Sequence, residues 1–298
     1  MSIHNEQLKL VAEYAESLPV PLFFCITGYL LEEKLSHNCD EKRKIIVANL
    51  KKYVRIYAGM STIYIPLTIY GIIQEIHGNA NLYVTAYNLI KNYLLVGEQF
   101  YSWQLWYLLA TIWGMAFVLL IPHKRSSEML LWSFGCFVLA CAISSFQESR
   151  IIELTIVNGR LFTGPSYILM GMLVKRKSEI FSKSGGIIVP ILVCICSVLF
   201  KIPYSTTNIV AFLSVPWILG TVMRHSKSGC QMGISKACRD TSSIIYYSHM
   251  YFLFIWMYML PIGEKGLECF LFVAGLSLLF SMILSAEISQ VKRLCIES

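Results

Sequence analysis

Apolar runs of 16 to 23 residues alternate with short polar connections along nearly the whole chain. A bilayer core takes about 20 apolar residues per helix. The pattern therefore predicts nine membrane spans, over 17–32, 54–76, 103–122, 129–147, 155–174, 186–203, 206–223, 242–262 and 266–287. The first is short for a bilayer unless it tilts or the membrane thins around it. Between the second and third lies 83–97, an amphipathic stretch carrying Asn88, Lys91 and Asn92. It reads as an interfacial or re-entrant helix rather than a span. The longest polar connections, 33–53 and 224–241, are too short to be soluble domains. The fold class is thus all-α: a polytopic integral membrane helix bundle forming one domain over 1–298.

Composition agrees. Hydrophobic residues make up 56% of the 298 and charged residues 14%, against about 25% charged in an average soluble domain. Mean hydropathy is +0.58. Too few polar groups remain to cover a soluble monomer, and disorder and coiled coil are excluded by the same numbers. The net charge of +7 does not point to nucleic acid, because the basic residues cluster between the apolar runs.

That clustering sets an orientation. Alternate connections and the tail hold 19 of the 25 Lys and Arg. Among them are Lys42, Arg43, Lys44, Lys51, Lys52 and Arg55 before and at the second span, Lys175, Arg176 and Lys177 after the fifth, and Arg224 after the seventh. By the positive-inside rule these connections and the C-terminus face the cytoplasm, in an inner or plasma membrane. Nine spans then leave residues 1–16 outside, with no signal peptide to carry them across. The expectation is a tenth, earlier helix upstream of Met1, with 1–16 as the remnant of a truncated first helix and its outer loop.

Six of the ten cysteines (Cys25, Cys136, Cys141, Cys194, Cys196 and Cys269) lie in apolar runs and read as small apolar residues. The other four fall in segments assigned to the reducing cytoplasm, where a disulfide framework is not expected. No C-x-x-C pair occurs, and no metal site is implied. Walker, dinucleotide-binding, H-E-x-x-H and G-x-S-x-G patterns are missing too, which argues against an ATP-driven pump, a Rossmann enzyme, a zinc protease and a typical serine hydrolase. His249 is the single histidine inside a predicted span. An ionisable group there is costly and tends to face a cavity or a polar partner; Tyr246, at i−3, and Ser243 and Ser248 are candidates. A structural hydrogen bond between helices explains it as well as a role at a site does. Glu148, Arg150, Glu153 and Arg160 cluster at the outer end of the fourth and fifth spans. They read either as the lining of a polar acceptor pocket or as an ordinary set of interfacial ion pairs.

Four landmarks follow one another along the chain: Val20-Pro21-Leu22-Phe23-Phe24-Cys25-Ile26-Thr27-Gly28-Tyr29-Leu30-Leu31, then Lys51-Lys52-Tyr53-Val54-Arg55-Ile56-Tyr57, then Leu105-Trp106-Tyr107-Leu108-Leu109, then Ser243-Ile244-Ile245-Tyr246-Tyr247-Ser248-His249. With Leu161-Phe162-Thr163-Gly164 and Gly171, their order and spacing resemble the membrane acyltransferase-3 family over nearly the whole chain. Each motif alone is short and apolar.

The resemblance implies ten membrane helices and an acyl group, acetyl first, taken from a cytoplasmic acyl-CoA. The acceptor would be a hydroxyl of a surface polysaccharide or its lipid-linked precursor. The partners implied are acyl-CoA as co-substrate, a glycan or glycolipid acceptor and the lipid bilayer, with no permanently bound cofactor and no nucleic acid. The family's signature is Arg or Lys, ten residues, then His. His4, 19 residues before Phe23, stands at a fitting distance for that histidine, and its role would be general base. The basic partner would lie upstream of Met1. The expectation is either a chain start placed too late or a shortened, inactive member. Lys51, Lys52 and Arg55 are expected to hold the coenzyme phosphates, although basic residues flank many spans with no ligand at all. Trp106, Tyr107, Arg160 and His249 are the candidate acceptor contacts, the Trp-Tyr pair through the family match alone. Composition and topology also fit a non-enzymatic transporter or flippase of glycan or lipid intermediates; no matched halves of the kind transporters show are evident.

Overall fold

The computed structural model describes residues 14–37, 41–78, 81–97, 100–121, 125–148, 160–182, 186–199, 207–225, 232–260 and 266–297. Among them are twelve α-helices and no strand. In chain order these are α1 (Pro19–His37, preceded by a helical turn from Tyr14), α2 (Lys42–Ile63), α3 (Ile65–His77), α4 (Leu82–Lys91), α5 (Leu105–Leu120), α6 (Ser126–Glu148), α7 (Arg160–Arg176), α8 (Ser178–Phe181), α9 (Ile188–Leu199), α10 (Thr207–His225), α11 (Met232–Tyr258) and α12 (Leu267–Glu297).

Local chemistry explains several boundaries. Pro19 and Pro21 sit in the first turn of α1, where a missing N–H costs nothing. α2 and α3 break at Tyr64, because Pro66 has no N–H to give to the carbonyl four residues back. Asn81 caps α4, its side chain accepting the Tyr83 N–H at 2.9 Å. A single π-helical turn, Asn92–Val96, follows α4 and ends at Gly97. Gly97 has φ +76, and a Cβ there would lie 2.5 Å from Trp106 Cα, so glycine suits both its backbone and its packing.

The chain divides into two compact units. Unit 1 holds α1, α2 as far as Ser61, and α4 to α10. Its centre is α7, which packs against α1, α5 and α6, while α10 packs against α1 and α9. Phe24, Cys25, Leu31, Met115, Val118, Ile168, Leu169, Met172, Val215 and Leu219 fill the core. Glycines bring the backbones together: a Cβ on Gly28 would lie 1.9 Å from the Ile168 carbonyl oxygen, and one on Gly171 would lie 1.9 Å from that of Cys25. Small residues are what permit such an approach. α1 and α7 run in the same direction, since their C-terminal ends are also paired. Arg176 Nε lies 2.5 Å from Glu32 Oε1 and Lys175 Nζ 2.7 Å from Glu33 Oε1. The shared direction agrees with the alternation of basic connections, which sends the first and fifth predicted spans the same way. Tyr14 ties α1 to α10 by donating to Ser214 Oγ at 3.0 Å.

Unit 2 holds Thr62 onward through α3, the 100–104 stretch, α11 and α12. α11 and α12 form a helix pair, closed by Trp256 on Phe272 and Phe252 on Phe280, and by Ser281 donating to the Thr241 carbonyl at 3.2 Å. Tyr64, fully buried, stacks on Tyr251 with ring centroids 4.9 Å apart and donates its hydroxyl to the Tyr247 carbonyl. Tyr251 in turn donates to the Ile63 carbonyl.

Apolar side chains face outward and small polar ones inward. Leu120, Leu131 and Leu267 are 82%, 69% and 73% exposed, while Ser133, Ser166 and Ser214 are completely buried. Water would not tolerate the first group, and lipid does. The chain is a helical membrane protein.

Each of the nine predicted spans contains a helix, but the described residues do not support a count of nine. Three helical stretches among the described residues are long and apolar enough to cross a bilayer: Tyr14–His37, Ser126–Ser144 and Leu267–Ser285. α2 and α3 make a fourth if the broken pair is one span. α5 and Asn208–Arg224 of α10 are apolar but shorter, and α9 has 12 residues. Helix and apolar run also differ in extent. α2 begins at Lys42 rather than near Val54, and α11 at Met232 rather than Ser242. Lys, Arg, Ala and Leu are good helix formers, so charge ends the apolar run without ending the helix. The predicted interfacial segment 83–97 is helical as α4 and its π-turn, and it exposes Tyr83, Val84, Tyr87, Ile90 and Leu94.

Candidate functional site

The first and third landmarks meet in unit 1. Phe23, Phe24 and Thr27 project from one face of α1, at i, i+1 and i+4, toward the first turn of α5. The Tyr107 ring lies 4.8 Å from Phe24 and 6.2 Å from Phe23, and Trp106 lies 6.0 Å from Phe24. The Thr27 and Tyr107 hydroxyls are 3.4 Å apart, and Thr27 also donates to the Phe23 carbonyl at 2.9 Å. The two motifs thus build one aromatic wall with hydroxyls in it. Trp106 and Tyr107 are half-buried against the core. Gly164, from the Leu161–Gly164 segment, closes on the same helix, since a Cβ there would lie 2.1 Å from the Ala110 carbonyl oxygen.

The second landmark splits by face. Tyr53 packs against the core, and Tyr57 donates to the Tyr93 carbonyl at 2.8 Å. Lys51, Lys52 and Arg55 all lie on the exposed side of α2.

The fourth landmark lies on α11 in unit 2. His249 is half-buried, with Nδ1 3.3 Å from the Ile245 carbonyl oxygen of its own helix. That oxygen can only accept, so the contact places a hydrogen on Nδ1 and directs the lone pair of the neutral ring to Nε2. Of the polar neighbours named from sequence, Tyr246 stands beside the imidazole, with centroids 5.9 Å apart, and its hydroxyl donates to the Gln104 carbonyl at 2.9 Å. Ser248 bonds back to the Ile245 carbonyl at 3.5 Å.

His4 lies outside the described residues, as do Arg150 and Glu153. Arg160 begins α7 and Glu148 ends α6, with side chains outside the described set. The mixed-charge cluster is therefore not described.

Sequence reasoning missed one constellation. At the basic end of unit 1 a cleft of about 370 Å³ opens where α1, α7, α8 and α10 come together. Tyr29, Glu33, Lys175, Ser178, Ser182 and Arg224 supply its polar lining. Lys175 is bonded to Glu33 and also stands over the Tyr29 ring, 4.9 Å from its centroid. The bond to Glu33 holds the Lys175 ammonium above its ordinary pKa. Arg224 Nη1 donates to the Ser182 carbonyl at 3.1 Å. The signal available in sequence was Glu32-Glu33, an acidic pair at the end of a span whose flank is otherwise basic.

A family model described as an acyltransferase domain, of the acyltransferase-3 type, matches residues 4–286. No curated protein and no solved structure matches the chain.

Proposed function

The chain belongs to the membrane acyltransferase-3 family, and from that premise we propose that it moves an acyl group, acetyl first, from acyl-CoA to a hydroxyl of a surface polysaccharide or its lipid-linked precursor. The match over 4–286 carries this reading, and the joined aromatic motifs of α1 and α5 support it.

The chemistry asks for little. The acceptor oxygen attacks the thioester carbonyl as a base takes its proton; a C–O bond forms, the C–S bond breaks, and the thiolate of coenzyme A leaves and is protonated. A histidine, with an ordinary pKa near 6.5, suits both proton steps. His4 takes that role in this reading. Trp106, Tyr107, Arg160 and His249 remain the sequence-based choices for contacts to the acceptor. Lys51, Lys52 and Arg55 remain the sequence-based choice for the coenzyme phosphates. No permanently bound cofactor or metal enters this reaction. The nine-span topology and the cytoplasmic C-terminus belong to this reading as well. They place the donor on the basic side.

The test is release of coenzyme A thiol from acetyl-CoA by the protein in proteoliposomes, with candidate glycan acceptors supplied. Acceptor-dependent release by the wild type, abolished by His4→Ala, is the expected result. Folded wild-type protein that releases no thiol with any acceptor, yet moves labelled glycolipid across the bilayer, would replace this reading with transport.

A further inference from the structure

The choice of phosphate ligand made from sequence and the cleft seen in the structure do not coincide. Lys51, Lys52 and Arg55 are exposed along one helix and none of them lines the cleft. The cleft instead gathers two cations from different helices, Lys175 at the end of α7 and Arg224 at the end of α10. Both are held in place, Lys175 by Glu33 at 2.7 Å and Arg224 by the Ser182 carbonyl at 3.1 Å. The Glu33 bond takes one of the three donors of an ammonium and the Ser182 bond one of the five of a guanidinium, and each orients its cation. The hydroxyls of Tyr29, Ser178 and Ser182 add neutral donors on the same walls. With one carboxylate, Glu33, against two cations, the polar lining is net positive. The volume falls within the range of small-molecule sites. Held cations and hydroxyls around one concave space are what recognise a phosphate oxygen, with arginine offering two parallel N–H groups.

We propose that this cleft binds a phosphate-bearing ligand through Lys175 and Arg224. Two sources share that chemistry. One is the diphosphate of the acyl donor's coenzyme, an assignment that rests on the acyl-CoA reading above. The other is the headgroup of an anionic phospholipid, which basic pockets between helices also take.

The experiment uses the full chain in neutral detergent. Coenzyme A binding is measured by titration calorimetry, and retention of added phosphatidylglycerol by native mass spectrometry. Arg224→Glu reverses one cation. Ser178→Glu adds a carboxylate to the rim at an exposed residue, which keeps the test alive if Arg224→Glu does not fold. The triple variant Lys51→Glu, Lys52→Glu, Arg55→Glu is the comparison. The expected result is a coenzyme Kd raised about tenfold or more by Arg224→Glu and by Ser178→Glu. If the wild type binds no coenzyme A but retains phosphatidylglycerol, and both cleft variants lose it, the cleft stands with a lipid in it and the acyl-CoA reading falls. If coenzyme A binds both cleft variants as well as wild type and is lost in the triple variant, the cleft assignment is overturned and the acyl-CoA reading stands. Failure of either cleft variant to change the binding of either ligand also overturns it.

Discussion

Arg176 grips both carboxylate oxygens of Glu32, with Nε 2.5 Å from Oε1 and Nη2 3.3 Å from Oε2. The pair joins the ends of α1 and α7, and the Glu32 side chain is 8% exposed. Taking away one partner strands a charge in a nearly dry place. Arg176→Leu should cost about 3 kcal/mol, the low end of the range for a buried pair, because the guanidinium itself keeps some solvent. Glu32→Leu with Arg176→Leu should recover part of the loss. Thermal or SDS unfolding of the three proteins measures this, and a double variant as unstable as the single one would refute it.

The glycine contacts make a sharper contrast. Gly28→Ala or Gly171→Ala would put a methyl 1.9 Å from a backbone oxygen, so α1 and α7 would have to separate. Each should cost about 1–3 kcal/mol. Gly135, in α6, has nothing within 4 Å of a built Cβ. There alanine should stabilise by about 0.5–1 kcal/mol through helix propensity. Melting temperatures of the three variants in one detergent decide it.

Lys175 gives a dependence on pH. Its folded pKa lies above the ordinary 10.5, chiefly through the hydrogen bond to Glu33. A raised ammonium stabilises fully below the unfolded value and loses that stabilisation as pH rises through the folded value. The stability gap between wild type and Lys175→Met should therefore be flat near neutral pH and shrink above 10.5. It should be no more than about 1 kcal/mol, because both side chains are partly exposed. A gap that grew with alkali would be the contrary result.

Two histidines separate by kinetics. His4→Ala should lower acyl transfer by about 10²- to 10⁴-fold, the usual contribution of a general base. His249→Gln should raise the acceptor KM while leaving kcat close to wild type, as loss of a binding contact does. A collapse of kcat in His249→Gln with His4→Ala unaffected would exchange their roles, and the Nδ1 contact with Ile245 already directs the Nε2 lone pair for that duty.

Much of this could be read from the chain itself. The apolar runs located the helices, and two glycines within them, Gly28 and Gly171, are where backbones approach. Other features were hidden for physical reasons. Lys175 and Arg224 looked like boundary charges, because a basic residue at a span end has the same sequence signature whether it faces water or a cleft. Lys51, Lys52 and Arg55 were chosen for their proximity along one helix, which sequence shows, whereas the exposed side they share is seen only in the structure. The span count depended on equating apolar length with helix length. Pro66 broke one helix, while Lys42–Tyr53 and Met232–Thr241 lengthened two others.

The bond between Glu32 and Arg176 spans 144 positions of the chain. A ribosome adding about 5–20 residues per second needs about 7–30 s to cover that interval. During synthesis α1 therefore enters the membrane well before its partner exists, with an unmatched carboxylate at its end and a stretch of backbone bared by Gly28. The helix at the centre of unit 1 is also a late arrival, so the first helix must wait in the bilayer to be claimed.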